Sequence, residues 1–291
     1  MTRKVSVLIP AHNEKIGIQR TLDSIHDSSR DGLDFQEIVC CNACTDGTEE
    51  IVSRYPVKLI QEPMRGKPNA LNALMGCARE LGSDYLCFVD ADVRVGKDSI
   101  ARLVHDLETT GYKGVGGRLE PDTEHMNFSQ QMSTMPFRVA EYKYMPGAFY
   151  CVRQYDMEGI RFPPEIILDD VWISMTLGDT SVDDEAVVYF TPPRTFGDFW
   201  EQTKRRMIGI YQLEENFPPE LLEELVPHTI AKNLRELDRE KLRELSTYEK
   251  FLFTLSVPIY SAMKLKAYMD YRHGNFSVEW EQQESTKPTH L

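Results

Sequence analysis

Two aspartates separated by one residue are the strongest candidates for chemistry in this sequence. Asp90 and Asp92 directly follow the apolar stretch 85–89, so their carboxylates emerge where a buried strand ends. Clustered negative charges are costly unless a cation lies between them, and carboxylate oxygens suit Mg²⁺ or Mn²⁺. The triplet Asp90-Ala91-Asp92 therefore indicates a divalent-metal site, with a pair of solvated loop aspartates as the alternative.

The elements that position this triplet form a regular series. Apolar runs predict strands over 5–9, 35–40, 57–60 and 85–89, and helical patterns fall between them at 16–27, 48–55 and 70–81. Such alternation predicts a parallel sheet, in which ligands bind beyond the carboxyl ends of the strands. The loops that begin at residues 10, 41, 61 and 90 should therefore meet at one crevice.

Further elements follow the fourth strand. The pattern predicts helices over 99–110, 127–144 and 196–212, strands over 113–118, 146–153 and 187–190, and a short helix that starts at Asp169 and Asp170. After residue 216 the composition changes to Leu, Glu, Lys and Arg at helical spacing. We expect a catalytic domain over 1–215 and a helical C-terminal extension over 216–291, with a frayed polar tail from residue 281.

Several of these loops together resemble those of one enzyme family. The stretches 10–14, 42–48, 65–72, 90–92 and 202–206 are similar to those of the inverting, nucleotide-sugar-dependent glycosyltransferases of family 2, over roughly residues 4–210. The resemblance implies a GT-A-like fold of the α/β class: a Rossmann-type, mostly parallel sheet flanked by helices. It also implies transfer of a sugar from a nucleoside diphosphate to a hydroxyl acceptor.

The resemblance implies roles for individual residues of the donor site. Asp92 would bind the Mn²⁺ or Mg²⁺ ion, Asp90 the ribose, and Asn42 would face the base. The other implied donor contacts are Pro10, Ala11, Glu14, Lys67, Ala91, Gln202 and Arg206. Structural alternatives exist: Glu14 could interact with a helix dipole, Asp46 could cap a helix, and Lys67 could be solvated.

The resemblance also implies the catalytic residues. The acidic pair Asp169 and Asp170 matches the family's, and Asp170 would be the general base that takes the proton of the attacking hydroxyl. A helix cap by one of the two carboxylates is the alternative, and both roles hold if Asp169 is the cap. Arg205 would stabilise the departing diphosphate.

Residue chemistry adds three expected acceptor contacts. Gly147 would let the backbone approach a sugar, with a plain turn as the alternative. The aromatic faces of Tyr150 and Trp172 would stack on a sugar, with core packing as the alternative for both rings.

Two departures from the family pattern limit these expectations. Cys41-Asn42 stands where the family often carries two aspartates, so a UDP-sugar is the default donor but other bases remain open. Arg206 replaces a tryptophan that usually stacks on the acceptor, which argues against polymer synthesis. A non-catalytic nucleotide-sugar-binding module and, less favoured, a sugar-nucleotide nucleotidyltransferase are the alternatives; the latter normally has a glycine-rich N-terminal loop.

Charge and hydropathy restrict the partners. The net charge of −13 argues against nucleic-acid binding, and no apolar run reaches the length of a membrane span. Six cysteines without a secretory segment favour a cytoplasmic location, with membrane association as an alternative. The apolar segment 251–260 is expected to dock on the catalytic domain, to form a homodimer through the C-terminal helices, or to make peripheral membrane contact. His228 is a further candidate metal ligand from this region.

Overall fold

The computed structural model describes residues 2–122, 125–139, 143–226, 239–278 and 286–287. Within them, eight strands form one sheet in the order β3-β2-β1-β4-β7-β6-β8-β5. The strands are β1 Arg3–Ala11, β2 Leu33–Asn42, β3 Lys58–Glu62, β4 Tyr85–Val89, β5 Arg94–Val95, β6 Gly114–Pro121, β7 Phe149–Arg153 and β8 Thr180–Phe190. Strands β1 to β4 pair in parallel, β7 is antiparallel to β4 and β6, and β6 is parallel to β8. The predicted α/β class with a mostly parallel sheet is confirmed.

Helices cover the sheet and extend beyond it. They are α1 Ile18–His26, α2 Thr48–Val52, α3 Lys67–Leu81, α4 Ser99–Thr109, α5 Phe128–Val139, α6 Asp169–Leu177, α7 Phe196–Glu214, α8 Pro219–Leu225, α9 Arg239–Glu244 and α10 Thr247–Arg272. Both faces of the sheet are buried: Val5, Val7 and Ile9 of β1 lie in one apolar cluster and Leu8 lies in the other. This two-sided burial explains why the central strands are almost continuously apolar.

One predicted helix was too long. The pattern predicted a helix over 127–144; in the described residues α5 covers Phe128–Val139, and Tyr144 lies in a bend. The Met145 amide donates to Ser174 Oγ (3.1 Å), so the chain here is held by α6. A contact distant in sequence thus replaces the local helical pattern.

The long helix α10 has two different faces. Leu252 and Met263 are buried in a cluster with Met132, Met135 and Phe199, so this face docks on α5 and α7 as one of the three alternatives proposed. The other face exposes Tyr248, Phe251, Leu265, Tyr268 and Met269. Pairing with a second copy and contact with a membrane surface stay predictions for that face, as does the domain boundary near residue 216. None of the helices in the described residues is long and apolar enough to cross a bilayer.

Candidate active site

A half-buried lysine joins the two acidic motifs. Lys67 Nζ lies 2.9 Å from Asp90 Oδ1 and 3.3 Å from Asp169 Oδ2. Lys67 begins α3, Asp90 follows β4 and Asp169 begins α6, so three separate elements converge on one ammonium group. Asp169 therefore serves as an ion-pair partner; the expected helix cap is not its role, because the N-cap residue of α6 is Leu168. The two carboxylate motifs belong to one site.

Asp170 is held by backbone amides. Its Oδ1 accepts from the Val171 amide (2.8 Å) and its Oδ2 from the Gly147 amide (3.2 Å). A Cβ atom at position 147 would lie 3.0 Å from Asp170 Cβ, so glycine permits this approach. Burial raises the pKa of Asp170 to about 6, and the neighbouring Asp169 adds to that rise. Above this pH the carboxylate is ionised and can accept a proton.

The remaining carboxylates of the site are also costly to ionise. Burial raises the pKa of Asp90 to about 6, that of Glu14 to about 9, and that of Asp92 above its usual value; Asp92 further raises the first two. A raised carboxylate pKa means that the folded protein disfavours the negative charge. A cation among these groups would remove that penalty.

Asp92 is positioned by residues that the sequence analysis missed. Arg20 donates from Nη2 to the Asp92 carbonyl (2.8 Å) and from Nη1 to Asp122 Oδ2 (2.9 Å), and Arg94 pairs with the same Asp122 carboxylate. At Gly17, a Cβ atom would lie 3.0 Å from Asp92 Cα. Helix α1 thus packs against the metal-binding candidate itself. No local pattern around Arg20 or Gly17 signals this contact.

The Asn42 side chain forms hydrogen bonds within the protein and does not face the crevice, which differs from the predicted contact with the base. Asn42 is fully buried; its Nδ2 donates to the carbonyls of Glu62 (3.0 Å) and Met64 (2.7 Å), and its Oδ1 accepts from the Gly66 amide (2.8 Å). The amide therefore holds the loop between β3 and α3. Because α3 begins with Lys67, Asn42 acts on the site through that loop.

The other donor loops are joined by similar hydrogen bonds. His12 Nδ1 lies 2.6 Å from the Asn42 carbonyl, and the Glu14 amide donates to Thr48 Oγ1 (2.8 Å). Asp46 Oδ1 accepts from the Thr48 amide (3.0 Å) at the start of α2, although the N-cap residue of this helix is Gly47. Pro10, Ala11 and Ala91 are buried, so a nucleotide would meet their backbone.

A cavity of about 1000 Å³ opens from the acidic centre toward the C-terminal helices. Its polar end contains Lys67, Asp90, Asp92, Asp169 and Asp170, and Gly147, Gln202, Arg205 and Arg206 also line it. Its far wall is apolar and comes from α5, α7, α8 and α10: Met135, Pro136, Val139, Phe199, Ile210, Leu225, Phe253 and Val257. The cavity thus joins the proposed base to an apolar surface.

Both arginines of α7 contact other segments at this cavity. Arg205 donates to the carbonyls of Ser277 (3.1 Å) and Val278 (3.2 Å), which follow α10. Arg206 donates to the Tyr144 hydroxyl and lies 5.8 Å from the centre of that ring. The predicted assistance of Arg205 to the leaving group stays a prediction.

The two aromatic residues predicted to contact the acceptor pack on other rings. Tyr150 is fully buried in β7 and stacks on Phe88, with 4.6 Å between ring centres. Trp172 packs on Phe162 at 5.3 Å and is not among the cavity-lining residues. Tyr150 therefore packs in the core, the alternative considered for it. Trp172 is partly buried, and its contact with the acceptor stays a prediction.

Two residues of the polar tail, Thr286 and Lys287, lie within the described part of the chain. Lys287 is only 4% exposed; its Nζ donates to the Asn13 carbonyl (2.8 Å), and its own carbonyl accepts from Arg194 (2.7 Å). Thr286 lines the cavity. The contact between Lys287 and Asn13 joins residues 274 positions apart, so no local sequence pattern predicts it. His228 lies outside the described residues.

Known proteins share both the sequence and the fold. The chain is 30% identical over 122 residues to the glycosyltransferase AglE of Haloferax volcanii, a match covering 40% of this chain and 39% of AglE. Among solved structures, the mannosyltransferase PcManGT of Pyrobaculum calidifontis, in complex with GDP-Man and Mn²⁺, aligns with a TM-score of 0.63 and 19% identity over 94% of this chain and 88% of its own. Staphylococcus aureus TarS 1–349 with UDP gives 0.53 and 16%, covering 97% and 95%.

A sequence model of one family also matches this chain. The sequence model described as "Glycosyl transferase family 2" matches residues 6–159, just over half of the chain. This range includes the donor loops and the Asp90-Ala91-Asp92 triplet, and the solved relatives share the GT-A-type fold. The chain therefore belongs to glycosyl transferase family 2.

Proposed function

We propose that this protein is an inverting glycosyltransferase that moves a sugar from a nucleoside-diphosphate sugar to a hydroxyl acceptor. The observation that carries the proposal is the ion-paired centre, in which Lys67 joins Asp90 of the donor motif to Asp169, next to the candidate base Asp170. The residues proposed to bind the donor and the proposed base line one end of the same cavity, which supports this assignment. A UDP-sugar is the default donor, from the family resemblance.

The carboxylates of this site suit a divalent metal ion whose remaining ligands come from the substrate. In the part of the chain that the structure describes, no three His, Cys, Asp or Glu side chains converge as a ready metal site. Asp92, whose pKa is raised by burial, would hold Mn²⁺ or Mg²⁺ together with donor phosphates, as is common where a protein supplies only one or two carboxylates. When bound, the ion would neutralise charge on the diphosphate.

Asp170 would accept the proton of the acceptor hydroxyl. The Val171 and Gly147 amides fix the carboxylate, so it need not reorient before the reaction. A base with a pKa near 6 is ionised at neutral pH and yet basic enough to assist a hydroxyl attack. Attack from the face opposite the diphosphate would invert the anomeric centre.

Lys67 and Arg205 would stabilise the negative charge that develops on the departing diphosphate. Lys67 already balances Asp90 and Asp169, and Arg205 is fixed by two carbonyl groups at the cavity wall. Cations that are oriented in advance do not need to reorganise during the reaction.

The cavity supports an acceptor with an apolar portion beside its hydroxyl group. Its polar end holds Asp170, whereas residues of α5 and α10 supply aliphatic and aromatic surface. Burial of such a portion would favour binding by roughly 25 cal/mol per Å² of apolar surface.

The direct test is donor hydrolysis and nucleotide binding. The protein is incubated with UDP-glucose, UDP-N-acetylglucosamine or GDP-mannose in the presence of Mn²⁺, and release of UDP or GDP is measured with and without EDTA. We expect slow release from one donor, abolished by EDTA. In a thermal-shift assay, UDP or GDP should stabilise the protein only with Mn²⁺, and Asp92→Ala should remove this effect.

Two results would contradict the proposal. Nucleotide binding without turnover of any donor, unchanged in Asp170→Asn, would favour a non-catalytic binding module. Metal-independent stabilisation, equal in the wild type and Asp92→Ala, would remove Asp92 from the donor site.

A further inference from the structure

The C-terminal tail brings a buried lysine to the donor loops. Lys287 Nζ donates to the carbonyl of Asn13 (2.8 Å), in the loop that follows β1. These two residues are 274 positions apart, and the lysine is only 4% exposed. A lysine rarely becomes so buried without a specific partner. The burial of the Lys287 side chain therefore indicates a specific role, because a solvated polar tail would leave it exposed.

The backbone around Lys287 is held as well. Arg194, between β8 and α7, donates from Nη1 to the Lys287 carbonyl (2.7 Å). The preceding Thr286 lines the cavity that contains Asp92 and Asp170. The tail is therefore fixed from both sides where donor and acceptor would meet.

The Lys287 ammonium acts on one carboxylate of the loop that follows β1. Burial raises the pKa of Glu14, and the Lys287 ammonium opposes that rise. Lys67 balances Asp90 and Asp169. In a chain of net charge −13, a diphosphate needs positive charge close to these carboxylates.

We propose that Lys287 is a donor-binding residue whose ammonium group contacts the diphosphate of the nucleotide sugar. This rests on the proposed function. Lys287 contacts the loop that follows β1, and Lys67 pairs with Asp90. The diphosphate would contact both lysines.

The test compares nucleotides with and without phosphates. Binding of UDP, GDP and uridine to the full-length chain in the presence of Mn²⁺ is measured by calorimetry for the wild type, Lys287→Met and Lys287→Arg. We expect Lys287→Met to weaken binding of the nucleoside diphosphate at least tenfold and that of uridine less than twofold. Lys287→Arg should stay within about threefold of the wild type, because it keeps the charge.

Controls separate charge from structure. Lys97→Met, at an exposed position, should bind like the wild type. The unfolding temperatures of all variants are measured without nucleotide. A chain that ends at Ser285 removes the lysine without introducing a new side chain and should reproduce the Lys287→Met result.

Three outcomes would overturn the inference. Unchanged diphosphate binding in Lys287→Met, or an equal loss for UDP and uridine, would reduce the tail to a structural role. Tighter binding in Lys287→Met would mean that the ammonium occupies the place of the donor. If the wild type binds neither UDP nor GDP, the proposed function itself fails, which is distinct from a failure confined to the variants.

Discussion

The loops after the first strands and the segments after β4 position their side chains by different means. In the first region, hydrogen bonds between neighbouring loops fix the backbone, as the Asn42 amide does for the loop that precedes Lys67. In the second region, Asp169 and Asp170 are fixed by an ion pair and by the close approach of Gly147. The first region would bind a nucleotide on a rigid edge, whereas the second holds charged groups ready for chemistry.

This difference predicts that substitutions of polar residues have different effects in the two regions. A polar side chain such as that of Asn42 forms hydrogen bonds within the loops of the first region, so its loss should lower the stability of the fold. A carboxylate in the second region is costly to the fold, because burial raises its pKa. Its loss should therefore cost catalysis.

The largest effect is expected for Asp170→Asn. Loss of a general base lowers kcat by about 10²–10⁴-fold. Binding of the nucleoside diphosphate, measured by calorimetry, should change less than threefold. Asp31→Asn, at an exposed position, serves as the matched control. A kcat within threefold of the wild type would remove Asp170 from the reaction.

Asn42→Ala should mainly destabilise the fold. The substitution removes the acceptor of the Gly66 amide and one of the donors to each of the Glu62 and Met64 carbonyls, at a cost of about 1–3 kcal/mol in the free energy of unfolding. Urea denaturation measures this change, and the exposed Asn275→Ala variant should be neutral. If Asn42→Ala instead changes the preference between UDP and GDP without lowering stability, the result would support the predicted contact of Asn42 with the base.

The pH profile tests the ionisation of the second region. Since the pKa of Asp170 is raised to about 6, kcat/KM should fall about tenfold per pH unit below 6. Unfolding does not explain this loss: a carboxylate with a raised pKa stabilises the folded state at low pH, and this contribution disappears as pH rises through 6. Circular dichroism at pH 5 should therefore show a folded protein.

Lys67→Met sharpens the same test. The Lys67 ammonium lowers the pKa of Asp170 against the effect of burial, so its removal should move the acidic limb to higher pH. If the acidic side of the kcat/KM profile does not move, the ionisation that it reports belongs to a group other than Asp170.

The smallest effect is expected for Tyr150→Phe. In the described part of the chain the Tyr150 hydroxyl is buried without a hydrogen-bond partner, so its removal should change the free energy of unfolding by less than about 1 kcal/mol. Activity should stay within threefold. A tenfold loss of kcat would instead place this hydroxyl in contact with the catalytic carboxylates.

Much of the fold was predictable because its signals are local. Apolar runs marked β1 to β4, and polar residues at the strand ends marked the crevice where Lys67, Asp90 and Asp169 meet. Local patterns did not predict features that a distant partner decides. Tyr144 lies in a bend, Trp172 packs on Phe162, and Lys287 contacts the first loop.

The sequence by itself determined the parallel series of strands, the acidic motifs at their ends and the family. These depend on residue type and short spacing, which a single chain displays directly. Only the tertiary structure decided that the Asn42 amide is hydrogen-bonded within a loop, that Tyr150 stacks on Phe88, and that Lys287 contacts the loop after β1. Each depends on which groups from distant segments share one buried volume, where an ion pair or a hydrogen bond has no counterpart in local sequence.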